Sequence, residues 1–317
     1  MNKINDFISR KLPLLILFMA VGTYVFPYYL AVPSWIPSLL LGVVIFFTGL
    51  SMNVSAIKQI HMKKRTLFLA ILLKWTLTVF ISIGLAYVFF SHKPDLAAGI
   101  ILGGVVPSAT AATLYTFLAG GTTPLVISAS LIDIFISPVV TPLSMMGLSS
   151  QEVGISLWRL LQSFLYIVLL PLGIGLLVQR MVPTLVTHSR SVTKLGSSFA
   201  LLLIIHTLVG SGKNAISSEI SSMPLLASVT FVQVICPMLL AYYISKLVNV
   251  QEADARAILF QVGLCNTALA AILAFEFISE LAAIAPIVNM IINLSLGALF
   301  ANYFANRDEN EATTATS

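Results

Sequence analysis

Apolar runs of about 20 residues recur from one end of this chain to the other, and no other sequence feature limits its fold as strongly. A helix rises about 1.5 Å per residue, so each run is long enough to cross a hydrocarbon layer about 30 Å thick. Ten can be marked, at approximately 12–31, 36–54, 66–90, 96–118, 123–147, 154–179, 195–212, 222–246, 254–278 and 281–305. They lack the polar–apolar alternation of barrel strands, so the expected fold class is an all-α polytopic membrane protein. Composition agrees: 58% of the 317 residues are hydrophobic and only 9% are charged. That is too few charges to clothe a soluble protein.

Basic residues set the expected orientation. With the N-terminus in the cytoplasm, the inner segments carry Lys3, Arg10, Lys11, Lys58, Lys63, Lys64, Arg65, Arg180, Arg190, Lys194, Lys246, Arg256 and Arg307, against Lys93, Arg159 and Lys213 outside. This asymmetry predicts both termini on the cytoplasmic side of a plasma membrane, the inner membrane in a bacterium. It also accounts for the net charge of +5 without a nucleic-acid partner. The first run is longer than the apolar region of a signal peptide and lacks an Ala-x-Ala-like site, so it is taken as a span. Cys236 and Cys265 both fall inside runs, which predicts neither a disulfide framework nor a metal cluster. No His-Glu-x-x-His, Gly-x-Ser-x-Gly or Walker-type phosphate loop is present, and an enzyme is not expected.

The spans divide five and five. An odd number per half gives the halves opposite orientations, so residues 1–148 and 149–317 are expected to form two inverted repeats. The polar stretch Gln179-Arg180-Met181 to Gly196 reads as the longest loop. The fourth span of each half is interrupted. Span four, "GIILGGVVPSATAATLYTFLAGG", is broken by Gly103, Gly104 and Pro107, and span nine, "ARAILFQVGLCNTALAAILAFEF", carries Gln261, Gly263, Cys265, Asn266 and Thr267 at its centre. Proline removes a backbone donor and clashes with the preceding turn. Non-helical backbone at that depth is tolerated only where it is buried or lines a wet cavity, so the two breaks point to a central binding site.

Lys74 stands nine residues beyond Arg65 in "FLAILLKWTLTVFISIGLAYVFF", roughly 13 Å along the helix. That is too deep for its stem to reach water. Asp133 and Gln261 sit at similar depth, and an unpaired charge there is costly, so a Lys74–Asp133 interaction is expected. His206 in span seven reads as a packing residue. Glu276 and Glu280, at the outer end of span nine, are expected to contact water.

The pieces "PSWIPSLLLGVVIFFTGLSM", "GIILGGVVPSATAATLYTFLAGG", "ISPVVTP", "ARAILFQVGLCNTALAA" and Asn293-Leu294-Ser295 together resemble the bile acid:sodium symporter family, over nearly the whole chain. The resemblance implies ten spans in two inverted repeats, with discontinuous helices four and nine crossing at the midplane. It further implies a panel domain of spans one, two, six and seven and a core domain of spans three to five and eight to ten. A small organic anion would pass between them by alternating access.

The chain departs from the family at the ion positions. Where the family has Pro-Gly-Gly-Thr-Ala-Ser-Asn, this sequence has Pro107-Ser108-Ala109-Thr110-Ala111-Ala112-Thr113, and Val126 replaces an oxygen ligand in span five. The family's Glu-Val-Gly-Met-Gln-Asn-Ser-Gly is here Gln261-Val262-Gly263-Leu264-Cys265-Asn266-Thr267-Ala268, and a glutamine of span three aligns with Lys74. Sodium favours oxygen ligands, so no metal is expected at these positions. Lys74 instead reads as a tethered cation, with Asp133, Gln261, Cys265, Thr113 and Ser130 as the altered coupling set and proton-coupled or uncoupled transport as the consequence. The substrate set is Ser108, Thr110, Asn266 and Asn293. Half-helix N-termini at the breaks suit a carboxylate, bile acid-like or pantothenate-like. Three alternatives stay open: Lys74 attracting the anion with no coupling ion, ordinary sodium symport through backbone carbonyls with Thr113 and Ser130, and a transport-inactive sensor or scaffold. The oligomeric state is left open.

Overall fold

The computed structural model describes residues 2–26, 28–33, 35–52, 63–146 and 157–316. The predicted repeat boundary at 148/149 and the topology signal Lys58 lie outside the described residues. Thirteen helices carry the described chain: α1 (Asn2–Val25), α2 (Trp35–Ser51), α3 (Lys64–Phe90), α4 (Pro94–Gly104), α5 (Thr110–Leu118), α6 (Thr123–Met145), α7 (Trp158–Met181), α8 (Pro183–Ser211), α9 (Lys213–Ser218), α10 (Met223–Leu247), α11 (Glu252–Gly263), α12 (Thr267–Phe277) and α13 (Glu280–Thr316). Five segments, α3, α6, α7, Ile220–Leu247 around α10, and Glu280–Asp308 within α13, are long and apolar enough to cross a membrane. Five shorter apolar helices accompany them: Leu14–Val25, Trp35–Ser51, Pro94–Gly104, Leu195–Ser211 and Thr267–Phe277. Phe18, Phe80, Val88, Phe135, Tyr166 and Phe199 are exposed, as side chains facing lipid would be.

The helices pack in two sets. In one, α2 lies against α7 and α8, and α1 against α8. In the other, α4 packs on α3, α12 and α13, α10 on α11 and α13, and α11 on α5 and α6. Thinner contacts of α6 with α7, α1 with α13 and α8 with α12 join the sets. Small residues permit the closest approaches. A Cβ at Gly49 would lie 2.6 Å from Leu172 O, and one at Gly175 would lie 2.3 Å from Phe46 O, so α2 and α7 meet backbone to backbone.

The breaks fall where the sequence placed them. Helix α4 ends at Gly104 and α5 begins at Thr110; α11 ends at Gly263 and α12 begins at Thr267. A Cβ at Gly104 would stand 1.9 Å from Ser82 Oγ, so only glycine lets α4 end against α3. The expected loop after Gln179 is different: α8 starts at Pro183 and runs through that polar stretch. Proline suits a first helical position, and no glycine follows until Gly196, so polarity alone does not stop the helix. Span one likewise ends earlier than expected, at Val25.

At one end of the molecule, ionic contacts tie α10, α11 and α13 to one another and to Lys63, just before α3. Glu252 accepts from Lys246 at 2.9 Å, Tyr242 at 2.8 Å, Arg256 at 3.1 Å and Arg307 at 2.8 Å. Arg256 also holds Asp308 through two bonds of 2.6 and 2.8 Å, and Lys63 holds Asp254 at 2.7 Å. Burial alone would raise the Glu252 carboxyl, but the hydrogen bonds from Lys246, Tyr242, Arg256 and Arg307 outweigh it and lower it to about 2.

Two outcomes are expected. Gly175→Leu forces α2 and α7 apart and lowers the melting temperature of the detergent-purified protein, by the equivalent of about 1–3 kcal/mol of overpacking. Gly173→Leu, at a site where a Cβ meets nothing within 4 Å, leaves it nearly unchanged. The folded Glu252 carboxyl is depressed, so its contribution is complete above its ordinary value of 4.5 and is lost as pH falls toward about 2. The melting-temperature gap between wild type and Glu252→Gln should therefore hold steady from pH 7 to about 5 and close below that.

Candidate functional site

The two non-helical stretches, residues 105–109 and 264–266, meet as a single antiparallel bridge between Ser108 and Cys265. Ala109 N donates to Leu264 O at 2.8 Å, and Asn266 N donates to Pro107 O at 2.8 Å. Each break thus satisfies the backbone groups that the other leaves open. Helices α5 and α12 start from this crossing, with their N-termini beside it.

Buried polar side chains gather around the bridge. Lys74, with none of its surface exposed, lies on a π-helical turn of α3, Lys74–Thr78. Such a turn changes the direction of successive side chains and recurs at functional sites. Here it aims two neighbours at different partners: Lys74 Nζ donates to Cys265 Sγ at 2.7 Å, and Trp75 Nε1 donates to Asp133 Oδ1 at 2.8 Å.

Asp133, also fully buried, takes further bonds at Oδ2 from Gln261 Nε2 at 2.8 Å and Ser108 Oγ at 2.8 Å. The Ser108 hydroxyl stands 2.6 Å from Gln261 O as well, and its single proton serves one acceptor at a time. Ser130 Oγ donates to Gln261 Oε1 at 3.1 Å, which completes the amide. A carboxylate at position 261 would face the Asp133 carboxylate; a glutamine gives it a proton donor.

Seven of the ten predicted site residues therefore meet here: Lys74, Ser108, Ser130, Asp133, Gln261, Cys265 and Asn293. The expected Lys74–Asp133 interaction is electrostatic only: the two charges act on each other, but no salt bridge joins them among the described residues. The π-helical turn delivers Trp75 to the carboxylate and carries the lysine to the crossing. Asn293 Nδ2 donates to Cys265 O at 2.9 Å, and Asn266 caps α12 by accepting from Leu269 N at 3.2 Å. Thr110, the first residue of α5, is exposed, and Asn266 is partly so. Thr113 sits one turn further along α5 and makes no side-chain hydrogen bond to this cluster among the described residues.

Sequence reasoning missed Trp75, although a half-buried indole in an apolar span needs an acceptor and stands next to a buried charge. It also missed a second network. Gln233 Nε2 donates to Ser82 Oγ at 2.9 Å and Ile100 O at 2.5 Å, and Asn289 Nδ2 donates to Gln233 Oε1 at 3.0 Å. A mid-span glutamine was the available signal. Elsewhere, His206 joins Thr23 at 2.8 Å and accepts from Leu30 N at 3.0 Å. Glu276, expected in water, is partly buried and accepts from Ser38.

The sequence pattern described as the Sodium Bile acid symporter family matches residues 38–219. The chain is 28% identical over 311 residues to the uncharacterized sodium-dependent transporter YocS of Bacillus subtilis (strain 168), covering 96% of this chain and 94% of that one. It is 22% identical over 280 residues to YbaS of the same organism, covering 87% and 90%. Over 209 residues it is 26% identical to the probable sodium/metabolite cotransporter BASS1, chloroplastic, of Arabidopsis thaliana, covering 66% of this chain and 51% of that protein.

Asp133→Ala strands the Trp75 and Gln261 donors, while Ser108 keeps Gln261 O, and should lower stability by about 3–5 kcal/mol, the range for a broken buried charged network. Asp133→Asn keeps one acceptor oxygen and should cost less. Thermal unfolding of the purified variants, followed by tryptophan fluorescence, ranks them.

Proposed function

The chain belongs to the sodium bile acid symporter family, and we propose that within it this transporter carries a small or amphipathic organic monocarboxylate by alternating access, with the Lys74 amine in place of a coupling sodium ion. One observation carries the reading: a fully buried lysine at the helix crossing, beside a neutral Gln261 and a thiol. The site's carboxylate is Asp133, which accepts from the Gln261 amide and so fixes it. One cation on α3 and one anion on α6 balance the buried charge without a bound metal. Deprotonation of Lys74 on one side of the cycle would couple transport to protons.

The substrate reading rests on the N-termini of α5 and α12, where backbone N–H groups and partial positive charge suit a carboxylate. Exposed Thr110 and partly exposed Asn266 stand at those ends, with Ser108 and Asn293 beneath them. The set of α1, α2, α7 and α8 fits a panel, and the set built on the crossing fits a core that moves against it. Ten spans in two inverted repeats, with both termini cytoplasmic in a bacterial-type plasma membrane, complete the proposal. A sodium-driven cycle is the second reading, favoured by relatives named as sodium-dependent or as sodium/metabolite cotransporters. Lys74 would then serve the substrate anion.

Uptake of a labelled carboxylate panel, including a bile acid and pantothenate, into proteoliposomes separates the two. Accumulation driven by a proton gradient, indifferent to sodium and lost in Lys74→Gln, is the expected result; a strict sodium requirement overturns it. Asn266→Ala should weaken substrate binding in either case.

A further inference from the structure

We propose that Lys74 and Cys265 form an oxidation-dependent covalent cross-link, a modification site built into the helix crossing. The nitrogen lies 2.7 Å from the sulfur. That separation is ordinary for an N–H···O bond and close for sulfur, a larger atom. Lys74 has no exposed surface and Cys265 only 5%, so water does not compete for either group. An ammonium has three donors, and a thiol is a weak acceptor, so this nitrogen is poorly satisfied by hydrogen bonding.

Both groups are also held in place. Cys265 sits between the two backbone bonds of the crossing, and its carbonyl accepts from Asn293. Lys74 is fixed on the π-helical turn, where its carbonyl accepts from Thr78 Oγ1 at 2.6 Å. Two reactive atoms fixed this close behave as reactants at very high effective concentration.

The chemistry needs one oxidant, hydrogen peroxide, which is small and uncharged. Peroxide oxidises the Cys265 thiol to a sulfenic acid and is itself reduced to water. The Lys74 ammonium first gives one proton to solvent, and the free amine's lone pair then attacks sulfur: an N–S bond forms as the S–O bond breaks. The hydroxyl leaves as water with one further proton from nitrogen. The product, a sulfenamide, has lost two hydrogens relative to the reduced pair. An external thiolate attacks its sulfur and restores both side chains.

The link would remove the lysine's charge and pin α3 to the crossing, stopping transport reversibly. That consequence, unlike the link itself, rests on the proposed role of Lys74. The test uses full-length protein in proteoliposomes, treated with hydrogen peroxide, digested without reductant and analysed by mass spectrometry. The expected result is a peptide pair joined at Lys74 and Cys265, two hydrogens lighter than the separate peptides, released by dithiothreitol and absent in Lys74→Arg. Cys265 carrying one or more oxygens beside an unlinked Lys74 overturns the proposal in the wild-type protein alone. So does an unmodified Cys265 under treatment that oxidises half-buried Cys236 on α10. Uptake measured on the same vesicles should fall in proportion to the linked fraction and recover with thiol. A link that leaves uptake untouched supports the modification site and removes Lys74 from the transport cycle.

Discussion

Two backbone hydrogen bonds, Ala109 N to Leu264 O and Asn266 N to Pro107 O, are the constraint on which the rest of this structure depends. A membrane-spanning helix that breaks exposes amide and carbonyl groups where no lipid can satisfy them. Here two breaks meet, and each supplies the other's partners. Everything nearby follows from that pairing. Glycines at 104 and 263 let α4 and α11 end against Ser82 and Met238, and α5 and α12 start beside the crossing, α12 capped by Asn266.

The polar layer around the crossing is a solved charge problem. One lysine and one aspartate lie fully buried without a direct ion pair. Asp133 accepts from an indole, an amide and a hydroxyl, which come from α3, α11 and the break before α5. Gln261 works only because it is neutral: its amide donates to Asp133 and accepts from Ser130. Lys74, Gln261 and Cys265 thus belong to one polar layer around the crossing, with Asp133 bound to Gln261.

Legibility in the sequence divided along physical lines. The apolar runs, the break at Pro107 and the break near Gly263 depend on local composition and were readable. The helix through residues 183–194 was not, because polarity signals a loop only where glycine or proline also interrupts the chain. Lys74 and Asp133 were found because buried charge is rare in apolar runs. Which residue each one meets was not, because the π-helical turn Lys74–Thr78 rotates the side chains and no sequence period announces it. Trp75 and the network of Gln233, Ser82 and Asn289 were hidden for the same reason: their bonds join α3, α4, α6, α10 and α13, residues distant along the chain.

By itself the sequence determined that this protein is helical and membrane-embedded, where its two central helices fail, and which charged residues have no route to water. Hydrophobicity and backbone chemistry are local properties, so they can be read in order along the chain. Tertiary structure alone decided that the failures cross, that Lys74 meets a thiol and Trp75 meets the carboxylate, and that the amide of Gln261 faces Asp133. Those contacts join α3, α6 and the crossing through space, and their geometry is set by helix packing that no stretch of sequence contains.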